Sequence, residues 1–415
     1  MKFLSARARA SITIALVISI GPLAEVTLRL VPPGYDTGHA RAQIERLLMR
    51  VEGIVDEPSH DPGTRTSPEQ RALNPYYGFD QPGGFDLLED YVAMDRRPDR
   101  EKLFIILVCG GSIPEIFTAG PLSGSGRLEE LLRDGDLVDG RNIKICRLAR
   151  AGYKQPQQLQ KLTYFLARGC RPDLVINIDG LNEVRAGPRN LLFGMHPTWP
   201  SSGHWLHLTS GPASSPRTLE AYYAAQRAQE ALVRKARAVL DGVALRSAIL
   251  GHWKQRQLDR LTREWFQLHD RYLTLLGEQR EVAHPGDRQR EAALDESVDV
   301  WSESSRLMHA LCRDRGILYL HLLQPTLHDE GSKIISEQER ATGLGGSEFD
   351  PQIKASYDLL RAAGARLVAD GVPFVDTSMM FADVSEPLYY DRAHLGKEGN
   401  RLLAERIATE LHDRY

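Results

Sequence analysis

Cysteine is scarce in this chain: four residues in 415, Cys109, Cys146, Cys170 and Cys312, with no C-x-x-C pair among them. That excludes a disulfide scaffold and leaves a zinc ribbon or thioredoxin-like site without support. Buried thiols are the expected state, with a single disulfide as the alternative. An excess of one charge is also missing: 52 Lys and Arg stand against 55 Asp and Glu, and no basic run is interleaved with aromatics. No nucleic-acid partner is therefore expected. There is no P-loop, and residues 110–115 fail the G-x-G-x-x-G pattern, so no nucleotide cofactor is expected either. His196, His204 and His207 share a loop rich in Gly, Pro and Trp but lack acidic neighbours at ligand spacing, so no metal is expected there. Trp199 and Trp205 in that loop read first as pins that hold it, and second as platforms for a sugar ring.

Long apolar runs are nearly absent as well, and the exception lies at the N-terminus. Lys2, Arg7 and Arg9 precede an apolar run over 12–24, which Val26, Leu28, Leu30 and Val31 extend past Glu25 and Arg29. Glu25 can pair with Arg29 one helical turn on, and Pro22 spoils a small-x-small cleavage site. Residues 1–31 are thus expected to be an uncleaved signal anchor or transmembrane segment. Its basic end would face the cytoplasm and its body would lie outside, on the periplasmic side in a bacterium. A cleaved signal peptide and a buried helix are the alternatives.

The body has 42% hydrophobic and 26% charged residues, an ordinary globular composition. Residues 32–100, rich in Pro, Gly, Asp and Arg, read as a membrane-proximal spacer with a short helix near 39–55 and an irregular stretch around 74–78. Order then begins at the apolar run 103–108, which reads as a strand buried on both faces. Further strands are expected at 143–148, 174–178, 317–323 and 373–375. Helices are expected at 127–133, 156–168, 295–315, 353–370 and 397–413. Strands alternating with helices predict an α/β fold, a doubly wound, mostly parallel five-stranded sheet. The stretch from 218 to about 279 has almost no strand character and reads as a helical insertion within about 200–295 of a domain spanning 101–415.

In such a sheet ligands bind beyond the carboxyl ends of the strands. After the first strand come Gly110, Gly111 and Ser112, a tight turn leading into a helix. After the second comes Gly152, and after the third Asn182, whose amide can donate to an oxyanion. Before the last helix come Asp391 and His394, three residues apart. Taken singly, each has a plainer use as a turn or a cap. Together, and in this order, they resemble the SGNH (GDSL-like) hydrolase family, over about 100–415 with the stretch near 190–300 outside the likeness. Gly111 stands where that family has aspartate, and Glu183 follows Asn182 where aspartate is usual. A Gly-Gly-Ser start is similar to that of a divergent, membrane-anchored bacterial branch.

The resemblance implies a serine esterase, with Ser112 as nucleophile, His394 as base and Asp391 as its orienting partner. Ser112 and Gly152 N–H groups with the Asn182 amide would form the oxyanion hole, and no cofactor or metal is called for. Glu115, Tyr153, Gln155 and Gln324 lie near strand ends, as do Asp179 and Glu183; they read first as hydrogen-bond support and second as pocket lining. The implied substrate is a small acyl ester, acetyl foremost, on an envelope or secreted glycan. An O-acetyltransferase with the same triad is the first rival, and a non-catalytic binding protein on a degenerate scaffold the second. An α/β-hydrolase proper is disfavoured, because Gly110–Pro114 lacks the second glycine of the nucleophile elbow.

Overall fold

The computed structural model describes residues 36–52, 72–80, 84–133, 135–209, 216–278, 285–342, 351–391 and 393–415. The anchor expected over 1–31 lies outside them. Among the described residues no helix is long and apolar enough to cross a membrane. The chain divides into two compact units.

One unit is helical. It combines the helix Thr37–Glu52 with Pro216–Asp241 and Ala248–Glu278, the last two joined through a short 3-10 turn, Ala244–Arg246. Ala40, Ile44 and Val51 of the first helix share a small core with Leu232, Ala236 and Val239 of the second and Leu258 and Trp265 of the third. These positions recur at spacings of three, four and seven residues, the stripe by which a helix buries one side.

The other unit carries the sheet. It starts with a two-stranded antiparallel hairpin, β1 (Ala72–Asn74) and β2 (Gly78–Asp80). This is the stretch expected to be irregular. The Asn74 side chain accepts the N–H groups of Tyr76 (2.9 Å) and Tyr77 (3.3 Å), so the side chain closes the turn. Five parallel strands follow: β3 (Leu103–Gly110), β4 (Asn142–Arg147), β5 (Leu174–Asp179), β6 (Leu318–Leu323) and β7 (Phe374–Asp376). Their spatial order is β4-β3-β5-β6-β7.

β3 is buried along its whole length, and its alternating side chains feed two cores. Leu103, Ile105, Leu107 and Cys109 pack with Leu162, Phe165, Trp301 and Met308 on one face. Phe104, Ile106 and Val108 pack with Leu128, Leu132, Leu403 and Ile407 on the other. Helices therefore cover both faces, which explains why β3 and β5 read as unbroken apolar runs. Because the chain leaves β3 for β4 on one side and returns to β5 on the other, the crevice at the carboxyl ends of β3 and β5 is the switch point of the sheet. All four cysteines are free and buried.

Candidate functional site

Ser112 opens the short helix Ser112–Thr118 directly after β3, and Asn182 lies in the first turn of Leu181–Leu191 directly after β5. Adjacent parallel strands thus deliver both side chains to the switch point. Gly111 explains how closely they meet: a Cβ there would lie 2.5 Å from Asn182 Nδ2 and 3.4 Å from the Tyr153 carbonyl oxygen. A side chain at this position would require the Asn182 amide to shift, so the Gly-Gly-Ser start goes with the close approach of Asn182. Asn182 Nδ2 donates to the Tyr153 carbonyl at 2.8 Å. The amide carries two hydrogens, so one donor stays available.

Gly152 sits at φ +82° with the His204 ring against it; a Cβ would fall 2.2 Å from that ring. The position therefore requires glycine on grounds of both conformation and space. Neighbouring N–H groups have protein acceptors, Ala151 on Glu115 Oε2 (2.6 Å) and Tyr153 on the Arg150 carbonyl (3.0 Å). Among the described residues, the N–H groups of Ser112 and Gly152 donate to no protein acceptor.

The turn before the last helix completes the arrangement. His394 Nε2 lies 2.7 Å from Ser112 Oγ, and His394 Nδ1 lies 2.7 Å from Asp391 Oδ2. The other oxygen, Asp391 Oδ1, accepts the N–H groups of Ala393 (2.9 Å) and His394 (2.8 Å). Asp391 is therefore a turn cap and an imidazole partner at once, one oxygen for each task. With a carboxylate on the Nδ1 side, that nitrogen carries the hydrogen and Nε2 faces the serine as acceptor.

The titration of the pair follows from these contacts. Burial pushes the Asp391 carboxyl up, but the charge and hydrogen bond of His394, with the two backbone donors, outweigh it and hold its pKa well below the usual range. Burial pushes His394 down, and Arg185 adds to that; the Asp391 charge and hydrogen bond win, so the imidazole pKa stands above its ordinary value. The His394 ring also stacks on Tyr390, centroids 5.7 Å apart and 15° from parallel.

The flanking candidates are buried and act as braces. Glu115 accepts from Arg150 and Ala151, tying the Ser112 helix to the Gly152 loop. The same Arg150 faces Asp80, which also receives Lys161 Nζ at 2.7 Å, so two buried acids meet two buried bases. Tyr153 is fully buried and its hydroxyl donates to the Phe79 carbonyl, which fastens the β1–β2 hairpin to the site. Gln155 Nε2 donates to Asp179 Oδ2 at 3.1 Å, and its backbone N–H donates to Glu183 Oε1 at 2.9 Å. Glu183 Oε2 accepts the Gly180 N–H at 2.9 Å, capping the helix that carries Asn182; burial, then the Asp179 charge, push its acid up. Gln324 is buried beyond β6, with its carbonyl accepting the Tyr357 hydroxyl at 3.0 Å.

The loop between Leu191 and Ser202 is held at several points. Asn190 Nδ2 donates to the carbonyls of His196 (3.1 Å) and Trp199 (3.0 Å), while Asn190 Oδ1 accepts the Ser202 N–H at 2.8 Å. Lys154 Nζ donates to the Pro197 carbonyl. The helix Ser202–Thr209 then sets the His204 ring between Phe79, stacked at 5.5 Å, and Gly152. Trp199 is half-exposed.

Two supports carry no sequence motif. Glu339 Oε1 accepts the N–H groups of Leu388 (2.8 Å) and Tyr389 (3.1 Å), and its other oxygen meets Lys333 Nζ at 3.0 Å, so a buried ion pair holds the approach to Asp391. Asp179 accepts from Trp301 Nε1, Asn177, Gln155 and His321, and the His321 ring reaches Ser305 Oγ at 2.8 Å. Only the placement of Asp179 at the carboxyl end of β5 is visible in the sequence; Gln155, Trp301 and His321 come from distant elements.

No protein-family model matches the chain, and no curated protein matches it. Among solved structures it is similar to an acetylxylan esterase from Geobacillus stearothermophilus, Axe2. For a catalytic mutant of that enzyme the identity is 12% and the TM-score 0.35; for Axe2 itself they are 13% and 0.34. Each alignment covers 74% of this chain and 93% of the other. Likeness this loose has no bearing on the chemistry, which is decided by the site's own geometry.

Proposed function

We propose that this protein is an SGNH-type serine esterase that removes small acyl groups, acetyl foremost, from a glycan, with its N-terminal segment anchored in a membrane and its body outside the cytoplasm. The observation that carries the reading is the unbroken line from Ser112 Oγ through the His394 ring to Asp391, two contacts of 2.7 Å, at a partly exposed serine in the switch-point crevice. Ser112 Oγ attacks the ester carbonyl carbon while His394 Nε2 takes its proton, and Asp391 stabilises the imidazolium. The carbonyl oxygen gains negative charge as the bond forms. The Ser112 and Gly152 N–H groups and the remaining Asn182 hydrogen are the donors for it, and one such donor contributes about 3 kcal/mol. Collapse expels the alcohol, which takes the proton from His394. Water then attacks the acyl-Ser112 ester by the same route, releasing the acid and restoring the serine. The test is labelling with a fluorophosphonate: wild type becomes labelled at Ser112, and Ser112→Ala does not while remaining folded. Equal labelling of both would place the nucleophile elsewhere.

Transfer to a second sugar is the other reading, favoured by the His204 ring against Gly152 and by the neighbouring loop that Asn190 and Lys154 pin. A transferase must keep water from the acyl-serine, and a pinned loop is the means. Hydrolysis predicts that an activated acetyl ester yields free acetate at the same rate with or without glycan oligosaccharides. Acetylated oligosaccharide formed at the expense of acetate would decide for transfer.

A further inference from the structure

At one end of the helical unit a group of apolar side chains faces outward. Val243 is 70% exposed, Trp253 52%, Leu250 47% and Ile249 37%. They flank the 3-10 turn between the two long helices, where Leu245 of the turn and Ala248 at the start of the next helix are buried. Leu250 and Trp253 are three residues apart on one helix and so share a face. Grouped apolar exposure of this kind marks a surface that meets something.

The charges around the patch narrow the partner. Between 241 and 256 the only acid is Asp241, against Arg246, Lys254 and Arg256. Lys254 Nζ lies 4.6 Å over the Trp253 ring. Desolvation, with Lys235 of the preceding helix close by, lowers the Lys254 pKa. Like charges held together are an attraction for an anion. A tryptophan flanked by cations beside aliphatic side chains is the composition that settles at a lipid–water boundary.

Chain geometry points the same way. Thr37, the first residue of its helix, donates through Oγ1 to the Leu245 carbonyl at 3.1 Å, so this helix begins beside the patch. Only residues 32–36 separate Thr37 from the end of the N-terminal apolar run. That stretch spans at most about 20 Å, and a headgroup layer is itself roughly 6 Å thick. With the run in a bilayer, the turn at Leu245 is confined to the neighbourhood of its surface.

We propose that this end of the helical unit is a membrane-docking surface, with Val243, Leu250 and Trp253 seated in the interfacial layer of an anionic bilayer and Lys254 and Arg256 on its phosphates. The inference rests on the N-terminal segment being an anchor, and the experiment separates the two. Full-length protein is reconstituted into phosphatidylcholine–phosphatidylglycerol vesicles with or without brominated lipid, and the Trp253 emission is taken as the difference between wild type and Trp253→Phe. Expected is a loss of more than half of that component to the brominated lipid, with shielding from aqueous acrylamide. Val243→Glu combined with Leu250→Glu is expected to abolish the quenching while the protein still floats with the vesicles. Floating protein whose Trp253 ignores the brominated lipid and stays open to acrylamide overturns the docking surface and leaves the anchor standing. Trp253 shielded from both quenchers, with cross-linked dimers, means that a second copy covers the patch and also overturns it. Protein that does not float overturns the anchor and the docking surface together.

Discussion

Two serine–histidine–aspartate lines run through this protein, and their distances barely differ. From Ser112 through His394 to Asp391 the contacts are 2.7 and 2.7 Å; from Ser305 through His321 to Asp179 they are 2.8 and 2.7 Å. What differs is access and orientation. The His394 side chain keeps 26% of its surface, whereas His321 keeps none. Nε2 faces the serine in the first line and Nδ1 in the second. Ser305 Oγ also touches the Tyr319 hydroxyl at 3.2 Å inside the core, where no ester can come. Asp179 is saturated by the Trp301, Asn177 and Gln155 donors besides its histidine. One line presents an oxygen beside unused N–H groups, and the other satisfies buried polar atoms that would otherwise be costly. A triad is therefore recognised by what its serine can reach, with hydrogen-bond length as a necessary condition only.

The two lines should part most widely at their serines. Ser112→Ala should lower kcat by about 10⁴–10⁶-fold with little change in Tm. Ser305→Ala should leave kcat within a few-fold, and esterase activity that followed Ser305 would reverse the assignment.

At the aspartates the effects should part in kind. Asp391→Asn should cost about 10⁴-fold in kcat, because the imidazole loses its tautomer and its charge partner. Asp179→Ala should instead cost about 3–5 kcal/mol of stability in urea unfolding, as three or more buried donors lose their acceptor. The aspartate also sets the pH dependence. His394 must be neutral to act as base, and its pKa is raised, so kcat/KM should fall as pH drops through a value above about 6.5. In Asp391→Asn that limb should move to lower pH. For stability, the raised His394 contributes below its unfolded pKa and is lost as pH rises through the folded value. The lowered Asp391 contributes above its unfolded pKa and is lost as pH falls through the folded one.

Smaller effects sharpen the oxyanion assignment. Asn182→Ala should lower kcat by about 10²–10³-fold with a modest effect on KM. Smallest is the stability change in Ser305→Ala, about 1–2 kcal/mol from the unpaired His321 nitrogen, measured as a shift in denaturant midpoint.

Much of the sheet could be read from the chain because β3 and β5 are buried on both faces and so appear as uninterrupted apolar runs. The places of Ser112 and Asn182 after those strands followed from topology, the joining of Asp391 and His394 to them was what the family resemblance implied, and the four residues do lie together. The β1–β2 hairpin escaped because three-residue strands show no period, and Asn74 closes the turn through its side chain. The helix Leu181–Leu191 escaped because Gly187 and Pro188 mask its pattern. Long-range braces such as Lys161 on Asp80 and the Leu388 and Tyr389 N–H groups on Glu339 left no trace, since each joins residues whose partnership exists only in three dimensions. Glu115, Tyr153 and Gln155 stand where the topology placed them and serve as hydrogen-bond support, the first of their two readings, and Gln324 is buried beyond β6.

The helical unit is assembled from two stretches of chain that lie far apart in order of synthesis. Helix Thr37–Glu52 leaves the ribosome early, yet its core partners Leu232, Ala236 and Leu258 are made much later. At about 5–20 residues per second, the first helix waits roughly 10–45 s for the chain through Glu278. Over that interval Ile44 and Val51 have no finished core to enter, while most of the first half of the sheet has already emerged. A nascent chain arrested near residue 210 should therefore leave this helix open to protease, and one arrested well past residue 300 should protect it.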